Sequence, residues 1–134
     1  MKNNINLNDS KTLAEEAVKF LLEKQGLEIK LYDMRKSEAI TDFYVNVTGK
    51  SAMHTSSLAD ELYDKLSELG RDALRIEGRR SDSWVLVDYG DVIVNVFDKK
   101  AREFYNLDRL LPGESLVDIE ELVKEVDAKF EIKN

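Results

Sequence analysis

Three groups of residues in this sequence have types and spacings that could do chemistry. The first is Gly49-Lys50-Ser51 ahead of a helical pattern, which has the ending of a phosphate-binding loop. Such a loop cradles phosphates with backbone N–H groups and needs a further glycine five positions before Gly49, where this chain has Tyr44. Without it the backbone cannot curl around phosphate, and the triplet reads as a strand-to-helix turn capped by Ser51. The second is His54, the only histidine. Metal sites and activated nucleophiles draw on a second His or Cys. Asp42 and Thr48 are near His54 only in sequence, so it reads as a structural or surface residue. The third is the pair Asp88 and Asp91, which could hold magnesium and would serve nucleotidyl transfer. Enzymes of that type add a Gly-Ser phosphate element upstream, which is missing. Asp is also an ordinary hairpin-turn residue. No metal and no cofactor is expected.

Aromatic residues point to binding instead. Trp84 opens a buried-looking strand and reads first as core, although Trp is also a frequent interface anchor. Tyr89, Phe104 and Tyr105 each sit among polar residues. They are expected to form an exposed aromatic patch near the Asp88–Asp91 hairpin, the usual material of a protein-binding hot spot. The function expected is therefore association with another macromolecule, without catalysis.

The elements that must position these residues follow from periodicity. Leu13, Ala14, Ala17, Val18 and Leu21 give a helix over 11–25, with Thr12 and Glu15 at capping-box spacing, Asp9 and Ser10 as rival caps, and Gly26 as its left-handed stop. Ile29 and Leu31 alternate with polar neighbours over 28–33, and Phe43, Val45 and Val47 alternate up to Gly49, giving two strands. Leu58, Ala59, Leu62, Leu66 and Leu69 stripe a helix over 51–69 that Gly70 ends. A short strand over 73–76 and a polar loop over 77–82 come next. The runs 84–87 and 92–97 are nearly continuously apolar, as in central strands covered on both faces. Four residues separate them, too few for a crossover, so they form an antiparallel hairpin. A short helix over 99–105 follows. Beyond Pro112-Gly113, Leu116, Ile119, Leu122, Val123, Val126 and Phe130 make an amphipathic helix with Ser115 as its cap. The expected fold is α/β, a mixed sheet of about five strands flanked by helices, with a domain over 1–111 and an acidic helical extension over 112–134.

Composition sets limits on partners. The 134 residues are 43% hydrophobic and 35% charged, which supports one domain with a real core. There is no cysteine, so neither disulfides nor thiolate metal sites are available. The polar N-terminus has no signal-peptide pattern, and no apolar run approaches the roughly 20 residues of a membrane span. A reducing cytoplasm is expected. A net charge of −7 disfavours binding to nucleic-acid phosphates but suits a basic protein partner. Seven acids against three lysines over 113–134 concentrate much of that charge at the C-terminus.

Three blocks, taken in register, resemble a known family. They are Ala39-Ile40-Thr41-Asp42-Phe43-Tyr44-Val45 through Thr48-Gly49-Lys50-Ser51 and His54; Glu77-Gly78 with Ser83-Trp84-Val85-Leu86-Val87-Asp88-Tyr89-Gly90-Asp91-Val92-Ile93-Val94; and Arg102-Glu103-Phe104-Tyr105-Asn106-Leu107-Asp108. Their order and spacing resemble the ribosomal silencing factor family (RsfS, also called Iojap), over roughly residues 10–111. The resemblance implies a nucleotidyltransferase-like fold without transferase activity. It also implies binding to the large ribosomal subunit through ribosomal protein L-fourteen, a steric block on subunit joining, and lowered translation when nutrients are scarce. It further suggests a homodimer using an overlapping surface. The residues it puts forward for docking are Trp84, Asp88, Tyr89, Gly90, Asp91, Asn95, Phe104, Tyr105, Leu107 and Leu110. Tyr89 and Tyr105 would supply apolar contact, Asp88 and Asp91 would meet basic side chains, and Gly90 would serve the turn. The chain departs from the family pattern at Asn95, usually histidine, and at Leu111, usually tryptophan. The rival reading is a residual nucleotidyltransferase or nucleotide binder using Lys50, Asp88 and Asp91.

Overall fold

The computed structural model describes residues 5–81 and 83–133, with side chains described as far as Phe130. The polar start at residues 1–4, Asp82 of the loop over 77–82, and the extreme C-terminus lie outside the described residues.

The chain opens with α1 (Ser10–Glu23). Of the rival caps it is Asp9 that serves, accepting from the Thr12 backbone N–H at 3.0 Å and the Thr12 hydroxyl at 2.7 Å. The left-handed residue after α1 is Gln25, at φ 65°, and not Gly26. Gly26 is required by space instead, since a Cβ there would lie 2.6 Å from the Val47 Cγ2. Next come β1 (Leu27–Asp33), β2 (Phe43–Thr48) and α2 (Ala52–Glu68), the last capped by Ser51, which accepts from the His54 N–H at 3.0 Å. Three strands follow: β3 (Arg75–Glu77), which starts two residues later and ends one later than its apolar pattern predicts, β4 (Trp84–Asp88) and β5 (Val92–Phe97). Then come α3 (Lys99–Tyr105) and the one-turn α4 (Leu107–Leu110).

The C-terminal segment differs from the single helix expected. A 3-10 turn at Gly113–Ser115 leads into a two-residue strand, β6 (Leu116–Val117), and α5 (Glu120–Lys133) begins only there. Ser115 is therefore not a helix cap, and Leu116 belongs to the sheet. Its periodicity misleads because a short strand abutting a helix contributes apolar residues at compatible spacing. The sheet has six strands in the order β3-β4-β5-β2-β1-β6, one more than expected. β2 and β5 are parallel, and every other neighbouring pair is antiparallel.

The two faces of the sheet are covered unequally. On one face Val45, Val47, Val85, Val87, Val94 and Val96 meet Leu13, Val18, Leu58 and Leu62 of α1 and α2 in one buried core. Each leucine buried there contributes about 1.5–3 kcal/mol relative to its exposed state. α5 rests on α1 through buried Val126 and the ion pairs Lys19–Glu125 at 2.8 Å and Lys129–Glu23 at 2.7 Å. On the other face, α3 and α4 alone among the described elements lie over the strands, and this open face carries most of the candidate residues.

Candidate functional site

The cross-strand register puts Trp84, Asn95, Asn46 and Tyr32 on the open face. Trp84 pairs with Phe97, Asn95 with Asn46 in parallel β5 and β2, and Tyr32 with Tyr44. Alternation then sends the intervening valines to the core. α3 is launched over this face by Asp98, whose side chain accepts from the Ala101 N–H at 2.7 Å. Asn106, at φ 46° and ψ 50°, ends α3 and reverses the chain into α4. The left-handed conformation is one that Asn adopts at lower cost than most residues.

A continuous chain of hydrogen bonds joins the strands to α3 and α4. The Trp84 indole Nε1–H donates to Asn95 Oδ1 at 3.0 Å, and Asn95 Nδ2 donates to Asn46 Oδ1 at 3.1 Å. Asn46 Nδ2 donates in turn to Asp108 Oδ1 at 3.0 Å. The Asp108 carboxylate also accepts from the Tyr32 hydroxyl at 2.9 Å and from Arg102 Nε at 2.7 Å. Arg102 is only 7% exposed; its remaining donors reach Thr48 Oγ1 at 2.9 Å and the Glu28 carbonyl at 3.0 Å. A buried charge is tolerable only when paired and hydrogen-bonded, and both conditions hold here. Burial pushes the Asp108 carboxyl up, but hydrogen bonds from Arg102 and Asn46, the Arg102 charge and the Tyr32 bond outweigh it and hold it below the usual carboxylate value. Burial, and then the hydrogen bond to Asp108, push the Tyr32 hydroxyl up to about 12.

Above this network stands an aromatic and aliphatic ledge. The Trp84 ring lies 4.7 Å from Tyr105 and 5.0 Å from buried Phe97, and Tyr105 meets Phe104 edge-on at 5.0 Å. Phe104 is 80% exposed, Leu110 75% and Tyr105 50%. Leu107 is half-buried beside them. β6 adds exposed Leu116 to the same face, opposite Tyr32. This face therefore carries a residue that no sequence signal had placed in the sheet.

The remaining expected docking residues do not join this ledge. Asp88, Tyr89, Gly90 and Asp91 lie at the other end of β4 from Trp84, about 13 Å along the strand at strand rise. Tyr89 is 2% exposed, so the expectation that it supplies contact area is corrected. Its ring packs into the core cluster because Tyr89, whose N–H donates to the Val92 carbonyl at 2.9 Å, continues the alternation of Val85 and Val87, and its hydroxyl has no hydrogen-bond partner among the described residues. Asp88 and Asp91 are engaged internally. Asp88 accepts from the Gly90 N–H at 2.8 Å and from Arg75 at 3.1 Å, and Asp91 accepts from Arg71 at 2.7 Å. Gly90 does serve the turn, at φ 90°. Asn95 is 1% exposed, so it acts from beneath the surface and not as a contact residue.

The groups first singled out for chemistry are scattered. Lys50 follows the C-terminal end of β2, whereas Asp91 precedes the N-terminal end of β5. Since Phe43 pairs with Val92 and Thr48 with Phe97, the two lie at opposite ends of the sheet, about 17 Å apart along the strands. Gly49 is a close-approach residue, because a Cβ there would lie 2.7 Å from the Thr55 backbone N and Cα. The His54 ring accepts the Lys50 N–H at Nδ1, 2.8 Å, and donates from Nε2 to the Lys24 carbonyl, 2.9 Å, tying the start of α2 to the end of α1. Among the described residues no group of three or more His, Cys, Asp or Glu side chains is arranged to hold a metal. No helix among them is long and apolar enough to cross a membrane.

Sequence reasoning missed Tyr32, Asn46 and Thr48, and gave Arg102 and Asp108 no role. A signal for Asn46 and Asn95 was present. Asn is depleted in strands, and two of them at corresponding positions inside valine-rich runs imply a buried, mutually satisfied pair.

Comparison with known proteins gives consistent matches. The profile of a family described as "Ribosomal silencing factor during starvation" matches residues 7–134. The chain is 32% identical over 111 residues to ribosomal silencing factor RsfS of Halalkalibacterium halodurans, covering 83% of this chain and 95% of that protein. It is 34% identical over 97 residues to RsfS of Haemophilus influenzae, covering 69% and 95%. A crystal structure from Bacillus halodurans superposes with a TM-score of 0.70 at 32% identity, covering 81% of this chain and 98% of that one.

Proposed function

The chain belongs to the ribosomal silencing factor family, and from that premise we propose that it binds the large ribosomal subunit through ribosomal protein L-fourteen and blocks joining of the small subunit. In this reading it acts in the cytoplasm, without catalysis, and lowers translation when nutrients are scarce. The observation that carries the docking surface is the exposed ledge of Phe104, Tyr105 and Leu110 on the open face of the sheet. Large aromatic anchors on a fixed support are the material of binding hot spots. A net charge of −7 favours a basic partner and speeds its encounter. A second copy of the chain is the competing occupant of the same ledge, so a homodimer would have to open before docking.

The test is sedimentation of the purified chain with separated ribosomal subunits. The protein is expected to travel with large subunits and to reduce the fraction of joined ribosomes when small subunits are added. Tyr105→Ala is expected to weaken association by about 1–3 kcal/mol, roughly 5- to 150-fold, the loss typical of an interface anchor. Failure of the unaltered chain to leave the top of the gradient at low salt would overturn the reading.

A further inference from the structure

The ledge rests on two short helices that bury almost nothing apolar. The buried residues of α3 are Ala101 and Arg102, and α4 buries none. Their own side chains thus add little apolar burial beyond the cover that Arg102 gives to Phe97, its guanidinium 5.9 Å from that ring's centroid. Directional bonds converge on one carboxylate instead: Asp108 accepts from Tyr32 on β1, Asn46 on β2 and Arg102 on α3. From Asn46 the chain continues through Asn95 to the indole of Trp84, whose ring packs against Tyr105 at a tilt of 50°. Both ends of the Trp84–Tyr105 contact thus trace back to Asp108. The indole does so through two asparagine amides, and Tyr105 does so through the adjoining α3–α4 turn.

We infer that Asp108 is a positioning residue for docking: it fixes α3 and α4 and, by way of Asn46 and Asn95, the indole of Trp84, so that Trp84, Phe104 and Tyr105 present one preset aromatic surface. The inference rests on the docking reading above. Asp108 itself is half-buried and acts through the residues it holds. Holding the rings in the bound arrangement beforehand lowers the entropy lost on association.

Trp84 is the only tryptophan in the chain, so its emission reports the far end of the network without a label. The experiment compares the unaltered protein with Asp108→Asn, Asn46→Ala and Tyr32→Phe. Emission maximum, acrylamide quenching, far-ultraviolet circular dichroism and association with bacterial large subunits are measured for each. Asp108→Asn is expected to keep the circular dichroism, to shift Trp84 emission to longer wavelength with stronger quenching, and to lose at least tenfold in association. Asn46→Ala keeps the Arg102–Asp108 ion pair and removes the Asn46 bond to Asp108 together with the link to Trp84. It is expected to give the same emission shift and a several-fold loss, and it decides the matter if Asp108→Asn does not fold. Tyr32→Phe removes one of the bonds that hold Asp108 but none on the path to Trp84, and it is expected to leave emission unchanged and to weaken association less than Asn46→Ala does.

Unchanged association in a folded Asn46→Ala or Asp108→Asn protein would overturn the inference, whatever the emission did. So would a loss of association with unchanged emission, or an equal loss in Tyr32→Phe, which would indicate general loosening. If the unaltered protein does not associate with large subunits, the docking reading is what fails. The emission data would then still say whether Asp108 sets the indole.

Discussion

Two tyrosines in this protein are almost equally buried, and their hydroxyls are expected to have opposite effects on stability. Tyr89 is 2% exposed and Tyr32 4%. The Tyr89 hydroxyl is buried without a partner among the described residues, whereas the Tyr32 hydroxyl donates to Asp108 at 2.9 Å. Burying a hydroxyl with no hydrogen bond costs about 1–3 kcal/mol. Tyr89→Phe removes that cost and forfeits only the oxygen's dispersion contacts, about 0.1–0.2 kcal/mol for each neighbouring atom. The ring stays against the Arg71 guanidinium, 5.9 Å from its centroid. A net gain of about 1 kcal/mol follows, or about 3–5 °C in melting temperature for a domain of this size. Tyr32→Phe breaks a bond to a charged acceptor, worth about 1.5–3 kcal/mol. Asp108 keeps Asn46 and Arg102, so the expected loss lies near the lower figure. Urea unfolding monitored by circular dichroism checks both. Midpoints should move in opposite directions by roughly 0.5 M or more, with the slope unchanged. A Tyr89→Phe protein less stable than the parent by about 1 kcal/mol would refute the reasoning, since it would require a hydrogen bond that the surrounding protein groups do not provide.

Two further predictions concern the same network. Asp108 has its folded value held below its ordinary 3.8, so its ionisation stabilises the fold above that pH. This contribution is lost as pH falls below 3.8 toward the depressed folded value. An Asp108→Asn protein is therefore expected to be less stable at neutral pH and to show a shallower decline in stability below 3.8 in acid denaturation. Asn95→His is expected to fold, because a neutral imidazole offers the one acceptor for Trp84 and the one donor for Asn46 that the amide supplies. Protonation would convert that acceptor to a donor. Trp84 emission in Asn95→His should then change with pH at or below about 6.5, the ordinary histidine value, while the parent stays constant there.

Much of the fold was legible because alternation and helical periodicity are dictated by burial. The valine runs of β4 and β5, the leucine stripe of α2 and the hairpin between Asp88 and Asp91 stand where those patterns put them. The misses have physical causes. Tyr89 was expected at the surface from its polar sequence neighbours, but it continues the period-two alternation of Val85 and Val87, and its ring faces the core. Leu116 was assigned to a helix because a two-residue strand is too short to show its own period. α4 is a single turn nucleated by a left-handed asparagine, which no apolar stripe announces. The site divides in the same way. Phe104 and Tyr105 were readable as large apolar residues among polar ones, whereas Leu110 was put forward only by the family resemblance. The network beneath them was not, because it joins six separate elements, and apart from the Asn46–Asn95 pair its members look in sequence like isolated polar interruptions.

That a polar seam and not an oily one underlies the ledge has a consequence for how docking can work. Helices of seven and four residues are too short to hold their shape by backbone bonding alone. An apolar seam would give them affinity for the sheet without a fixed register, because dispersion and burial are nearly indifferent to small slides. Hydrogen bonds near 3 Å to Asp108, Asn46 and Asn95 are lost within an ångström of displacement, so they select one placement of Phe104 and Tyr105. The same arrangement makes the seam fail as a unit. Taking Asp108 away leaves the Arg102 charge buried with only neutral partners, a far greater penalty than one lost hydrogen bond. A ledge built in this way is held in one arrangement until the seam opens, and opening it releases the ledge and the indole packed against it together.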